Sequence, residues 1–306
     1  MGQIKFIYLI QVHEYPEQIA RLIRFLADDQ SAFYIHVDLK SDIGKFEFLK
    51  NMGNVQFTNE RVDCIWGDFS QVEATLCLVN AALSKHQSGM VTLLSGSHYP
   101  IKSKEHIQHF FNKHPETCFL ECRDPYELWP TFSRRTDLYK YNYSSSRGDY
   151  VMLKGFSTVL VSQLVKGNIS LKQFFEALFL KRVVPGNMTF YGGSQWWSME
   201  AEYLEKINSY IEKNKGDLKR YFEYSLCADE FFFQTIAKHI NHRTNVRFAD
   251  STTYVSWDRN KNRTPIVFRS DLRELLSQDE HKLFARKFDI MVDTSILDEI
   301  DERISS

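Results

Sequence analysis

Three consecutive pieces decide the fold: IKFIYLI (residues 4–10), PEQIARLIRFLADD (16–29) and AFYIHVD (32–38). The first is a continuous apolar run of β-forming residues, the pattern of a strand buried on both faces. In the second, Pro16 stands at a helix start, and Ile19, Leu22, Ile23 and Leu26 recur at helical spacing. The third is another strand. Working outward, IGKFEFLKNM (43–52) is helix-like and VQFT (55–58) is a short strand. Ser70 is a candidate N-cap for the helix QVEATLCLVNAALSKH (71–86). MVTLLSG (90–96) is again a buried strand, 104–113 a helix and TCFLEC (117–122) a strand. Strand and helix alternate through residue 122, which predicts a doubly wound, mostly parallel sheet with helices on both faces.

The pattern then changes. Residues 123–187 are polar and aromatic, with SRRTDLYKYNYSSSRGDY (133–150) lacking clear periodicity and one apolar helix candidate at SLKQFFEALFLKRVV (170–184). A loop of this length in a compact domain is usually functional or disordered; here it is expected to cross the ligand face of the sheet. Beyond it, GSQWWSMEAEYLEKI (193–207) carries two adjacent tryptophans into a charged amphipathic helix ending near 214. Neighbouring strand side chains point apart, so one of Trp196 and Trp197 is expected in the core and the other beside a ligand. A helix over 229–239, strands at NVRFA (245–249) and TPIVF (264–268), and a C-terminal helical tail complete the chain. With no repeat, low-complexity tract or linker, residues 1–306 are expected to form a single domain.

The composition excludes several classes. A net charge of -1 over 306 residues provides no global field for nucleic acid or anionic lipid. The five cysteines (Cys64, Cys77, Cys118, Cys122 and Cys227) show no paired zinc-ligand spacing, and reduced thiols in a cytosolic protein fit them best. The first apolar run breaks at Gln11 and His13, so no signal peptide is expected. No apolar stretch approaches the roughly 18 residues of a membrane span. A cytoplasmic location follows as the expectation. Aromatic residues reach 14%, which fits a Phe-rich core or exposed rings that hold sugars.

Ligands of open α/β sheets bind beyond the carboxyl ends of the strands. Those ends hold His13, Asp38, Trp66-Gly67-Asp68 and Ser95-Gly96-Ser97. Asp38 can accept hydrogen bonds from a base or ribose, or simply cap the next turn. His13 is either part of the site or a surface histidine. In CADEFFFQTIAKHI (227–240), Asp229 and Glu230 stand at a helix start, as cap and first-turn acid. Shielding by Phe231, Phe232 and Phe233 would raise a carboxyl pKa there and suit a general base. In LFARKFD (283–289), Arg286 and Lys287 lie among Phe284 and Phe288; they are a solvated pair or partners of a buried anion such as phosphate. Arg263 stands in NRTP (262–265).

Taken in order, H-x-x-P (13–16), YIHVDLKS (34–41), IWGDFSQVEATL (65–76), LLSGSHYPIKS (93–103), GSQWWSM (193–199), DEFFFQT (229–235) and LFARKFD resemble the core-2/I-branching family of glycosyltransferases. That family includes β-1,6-N-acetylglucosaminyltransferases and peptide xylosyltransferases. The resemblance covers nearly the whole chain and is nearer to bacterial members than to membrane-anchored Golgi enzymes. It implies a GT-A-type fold, a UDP-sugar donor, inversion at the anomeric carbon and no required metal or other cofactor. Glu230 falls at the catalytic base, Arg263 and Lys287 at the donor diphosphate, and His13 and Asp38 at the nucleotide. Ser194, Trp196, Trp197, Trp257, Glu121 and Arg135 fall on the sugar and acceptor side, with the Gly193–Ser194 turn letting backbone approach the ligand. The chain then divides into a nucleotide-binding half (1–122), a variable excursion (123–187) and an acceptor and catalytic half (188–306). Segment 123–185, where acceptor contacts would lie, departs from the family pattern.

The implied reaction moves N-acetylglucosamine or xylose to a hydroxyl of a glycan or lipid-linked oligosaccharide, in bacterial surface polysaccharide synthesis. Peripheral contact with the inner face of the membrane and no nucleic-acid partner are expected. Strand two is followed by HVDLKSD rather than an Asp-x-Asp metal motif, so the fixed cations Arg263 and Lys287 are expected to stabilise the leaving group. Two alternatives are a metal-dependent hydrolase using His13, His36, Asp38, Asp68 and His98, and a non-catalytic glycan-binding protein on the same fold.

Overall fold

Strand β1 (Phe6–Val12) sends Phe6, Tyr8, Ile10 and Val12 into one core and Ile7 and Leu9 into another. Strand β2 (Ser31–Val37) divides likewise, Phe33, Ile35 and Val37 against Ala32 and Tyr34. Since strand neighbours face opposite sides, the unbroken apolar runs are the mark of a sheet covered twice. The computed structural model describes residues 3–244, 246–258, 264–269 and 272–304.

Five further strands join the sheet: β3 (Val55–Phe57), β4 (Met90–Ser95), β5 (Thr117–Phe119), β6 (Ser198–Glu200) and β7 (Arg247–Ala249). The spatial order is β7-β5-β6-β4-β1-β2-β3. All pairings are parallel except those of β6, which runs against β4 and β5. Helices Pro16–Leu26, Lys104–Lys113 and Ser295–Ile304 cover one face. Helices Ser70–Leu83, Ala201–Lys213 and Phe232–Ile240 cover the other. This is the doubly wound α/β sheet of a GT-A-type fold.

Several local expectations are corrected. Ser70 is the first helical residue rather than the cap: its N–H donates to Asp68 Oδ1 at 3.0 Å, and its Oγ accepts the Ile65 N–H at 2.9 Å. Segment 43–52 forms a 3₁₀ helix over Ile43–Asn51. The helix expected over 229–239 is interrupted at Phe231 (φ -148°), giving a 3₁₀ turn Ala228–Glu230 and then Phe232–Ile240. In 264–268 the strand is confined to Thr264–Pro265, against Trp257–Asp258, while the backbones of Ile266 and Phe268 bond to that of Lys287. A three-stranded sheet of Thr253–Val255, Phe284–Arg286 and Tyr99–Pro100 brings the C-terminal basic pair back beside the central sheet.

The excursion is folded. Strands Tyr139–Asn142 and Tyr150–Leu153 form an antiparallel hairpin, followed by helices Thr158–Val165 and Leu171–Phe179. Together they enclose a small core of Tyr139, Tyr141, Leu153, Leu160, Ile169 and Ala177. Buried cations tie this unit to the rest. Lys140 Nζ donates to Asp68 Oδ2 at 3.2 Å and to Asn142 Oδ1 at 2.5 Å. The Arg182 guanidinium donates to the carbonyls of Arg135 (3.1 Å), Leu138 (2.7 Å) and Tyr221.

Candidate active site

The strand ends open on one cleft of about 2320 Å³. His13 follows β1, Asp38 follows β2, Ser95 ends β4 and Glu121 lies beyond β5, and all four line the cleft. Asp38 is buried, and its Oδ1 accepts the Lys40 N–H at 2.9 Å with Lys40 Nζ at 3.3 Å. The turn-capping role is therefore present while the carboxylate still borders the cleft. His13 is exposed; its carbonyl accepts Ser41 Oγ–H at 2.7 Å.

A tight knot of main chain positions the carboxylates. Glu121 Oε2 accepts the Ser194 N–H at 3.0 Å, and Gln234 Nε2 donates to the Ser194 carbonyl at 2.8 Å. The Gly193 N–H donates to the Glu230 carbonyl at 2.9 Å. A Cβ on Gly193 would stand 2.2 Å from the Glu121 carbonyl oxygen. Gly193 thus admits the backbone of Glu121, while Gly193 and Ser194 also line the cleft. Cys227, at φ 53°, bends the chain into Ala228–Glu230 in a conformation uncommon for a non-glycine residue. Glu230 there receives Arg135 Nη1 at 2.6 Å, and the same guanidinium lies 3.9 Å over the Trp129 ring.

The two tryptophans part company. Trp197, 1% exposed, packs at 5.6 Å from Phe233 in the core and does not line the cleft. Trp196 does line it, held edge-on to His98 at 4.5 Å with the Arg286 guanidinium 4.9 Å from its ring. Arg286 Nε, Asp229 Oδ1 and His98 Nε2 are all buried without a hydrogen-bond partner among the described residues. Burial lowers the Arg286 guanidinium to about 10, against the pull of Asp229. Burial, and then the neighbouring charge of Glu230, push the Asp229 carboxyl up to about 7. Burial and Arg286 keep the His98 imidazole neutral. Phe231, Phe232 and Phe233 anchor the turn in the core, and the carboxyl that burial raises beside them is that of Asp229.

Lys287 and Trp257 also line the cleft, Trp257 half exposed on its short ribbon. Arg263 lies outside the described residues. Trp129, from the excursion, borders the site and had no spacing signal to mark it; Arg147, stacked 4.2 Å over Trp66, is likewise read only from the structure. The ligand set of the hydrolase alternative is not assembled. His36 Nε2 accepts the Val62 N–H at 2.9 Å, with burial lowering its imidazole to about 4. Asp68 is engaged by Ser70, Lys140 and Asn142. Among the described residues no three His, Cys, Asp or Glu side chains gather as a metal site.

A doubly wound sheet whose strand ends open on a cleft of carboxylates, cations and tryptophans has the architecture of a GT-A-type glycosyltransferase. The chain belongs to the Core-2/I-Branching enzyme family, whose pattern matches residues 6–279. It is similar to Xylosyltransferase 1 of Canis lupus familiaris, 20% identical over 328 residues that cover 97% of this chain and 30% of that protein. It is 21% identical to Xylosyltransferase oxt of Drosophila melanogaster, over 93% of this chain and 32% of that protein. With Xylosyltransferase 2 of Homo sapiens the identity is 22%, over 97% and 33%. The chain thus spans about a third of the length of the curated relatives it matches. No helix among the described residues is long and apolar enough to cross a membrane.

Proposed function

We propose that the cleft transfers a sugar from a UDP-sugar to a glycan hydroxyl with inversion at the anomeric carbon and without a metal. Xylose is favoured by the names of the relatives, and N-acetylglucosamine is the other donor sugar that the family resemblance implies. A bacterial surface polysaccharide is the proposed setting, with a lipid-linked oligosaccharide as one form of acceptor. The reading rests above all on one observation: Glu230, oriented by Arg135 at 2.6 Å, faces the same cleft as Asp38, Trp196 and Lys287. In the proposed step, the acceptor hydroxyl gives its proton to a Glu230 carboxylate oxygen as its own oxygen bonds to the anomeric carbon. The bond from that carbon to the diphosphate oxygen breaks, and UDP leaves with the electron pair. Lys287, with Arg263, stabilises the charge on the leaving diphosphate. Asp38 and His13 bind the nucleotide; Trp196, Trp257, Ser194 and Glu121 border the sugar and acceptor.

Slow release of UDP from UDP-xylose or UDP-N-acetylglucosamine tests the reading. Glu230→Gln is expected to retain the fold and donor binding while lowering kcat at least about a hundredfold. Turnover is expected to persist in excess EDTA, and Lys287→Ala to lose activity even with manganese added. Saturable glycan binding without turnover would favour the glycan-binding alternative. Activity abolished by EDTA and restored by manganese would assign the leaving group to a metal.

A further inference from the structure

The excursion helices Thr158–Val165 and Leu171–Phe179 close their small core with Leu160 and Ala177 and leave much of their apolar surface outside. Leu171, Phe175 and Phe179 stand at i, i+4 and i+8, one stripe of one helix. The rings of Phe175 and Phe179 stack at 6.1 Å. Nearby in sequence, Val165 is 82% exposed, Phe156 76% and Val183 74%. Concentrated exposure of this kind marks an interaction site rather than ordinary surface.

Charge indicates what covers it. Lys154, Lys166, Lys172 and Lys181 are all exposed on the same unit. Glu176 is the one acidic residue in 150–184. It is largely buried, accepts the Tyr224 hydroxyl at 3.2 Å and lies 3.7 Å from Lys172. On a chain of net charge -1 this is a local basic island. A second copy docked on the same face would set lysines against lysines, which disfavours self-association. An anionic bilayer meets both features, since apolar side chains enter the headgroup boundary while lysines meet lipid phosphates. We propose that the outer face of the Thr158–Val165 and Leu171–Phe179 helices docks on the surface of an anionic lipid bilayer. The proposal does not depend on the sugar-transfer reading.

Co-sedimentation of the full chain with vesicles tests it, using phosphatidylcholine alone or phosphatidylcholine with a third phosphatidylglycerol. Binding is expected on the anionic vesicles, at least about tenfold weaker on neutral ones, and reduced as salt is raised to about 1 M. Phe175→Ser/Phe179→Ser and Lys172→Glu/Lys181→Glu are each expected to weaken binding by about tenfold or more, since one surface lysine is worth about fivefold. Circular dichroism and Tm verify that each variant is folded, and a misfolded one leaves the other to decide. Wild type that stays in solution with both vesicle types overturns the proposal, as does binding that neither variant weakens. A dimer that the phenylalanine variant converts to monomer, without vesicle binding by wild type, assigns the face to self-association instead.

Discussion

In the central sheet, β1 places six of its seven residues fully inside one core or the other, whereas the excursion helix Leu171–Phe179 fully buries only Ala177. A buried Val, Leu, Ile or Phe is worth about 1.5–3 kcal/mol relative to exposure, so the sheet is specified many times over by its apolar residues. The excursion has fewer such residues inside: Phe132 in the second core, and Tyr139 and Tyr141 against Tyr224. Polar ties from Lys140, Arg182 and Arg135 hold it against Asp68, main-chain carbonyls and Glu230. One region is held chiefly through area, the other through a smaller area joined by a few directed bonds.

The largest expected effect lies in the sheet region. Trp197→Ala should cost about 3–5 kcal/mol, as for a buried aromatic, measured by urea unfolding. Trp196→Ala, on the cleft side, should cost less and raise KM more. Equal losses of stability without a kinetic difference would erase the distinction drawn between the two rings.

Next is the tie between the regions. Lys140→Met leaves the Asp68 carboxylate without its buried cation and should cost about 1–3 kcal/mol. Hydrogen exchange and limited proteolysis should show the loss concentrated in 139–180, with β1 and β2 still protected. If protection falls equally everywhere, the two regions unfold as one unit.

Two carboxylates should give opposite pH signatures. Burial opposes the Asp68 charge, but the Ser70 N–H, Lys140 and Asn142 outweigh it and lower its pKa. Its contribution is therefore present above the ordinary 3.8 and fades as pH falls through the lowered value. Asp229 is raised, so its contribution is present below 3.8 and is lost as pH rises through about 7. Asp229→Asn should raise Tm by a few degrees at pH 8 and change it little at pH 4. Asp68→Asn should lower Tm at pH 7, with the loss shrinking only in acid. A Tm gain for Asp229→Asn of the same size at both pH values would refute the burial account.

The smallest effect is on the outer face. Phe175→Ser should change stability by no more than about 0.5 kcal/mol, as for most surface substitutions. A larger loss in thermal unfolding would mean that the stripe is packed and the contrast between the regions overstated.

The wound half was legible because burial on two faces leaves a continuous apolar run, and burial on one leaves helical spacing. His13, Asp38 and Ser95 were found by the same route, as residues at strand ends, whereas Glu121 came only from the family resemblance. Of the excursion only the helix within 170–184 was legible; the helix Thr158–Val165 and the hairpin were not, because Phe156, Val159 and Val165 lie outside and blur the period from which they would be read. Ser70 was misplaced because Asp68, two residues earlier, offers its carboxylate to the same turn. The Phe231–Phe233 run suggested a buried carboxyl, yet a run of apolar residues does not say that Asp229 is the one that burial raises.

By itself the sequence determined the strand–helix alternation, the two-faced sheet and the positions just beyond its strands, because periodic burial is a property of neighbouring residues. Only the tertiary structure decided that Arg135 meets Glu230, that Gly193 makes room for the Glu121 backbone, and that Trp196 faces the cleft while Trp197 faces the core. Those pairings join residues 95 and 72 positions apart, and no local period carries information about partners across such a span. They depend on packing, which sets which side chains end up opposite one another.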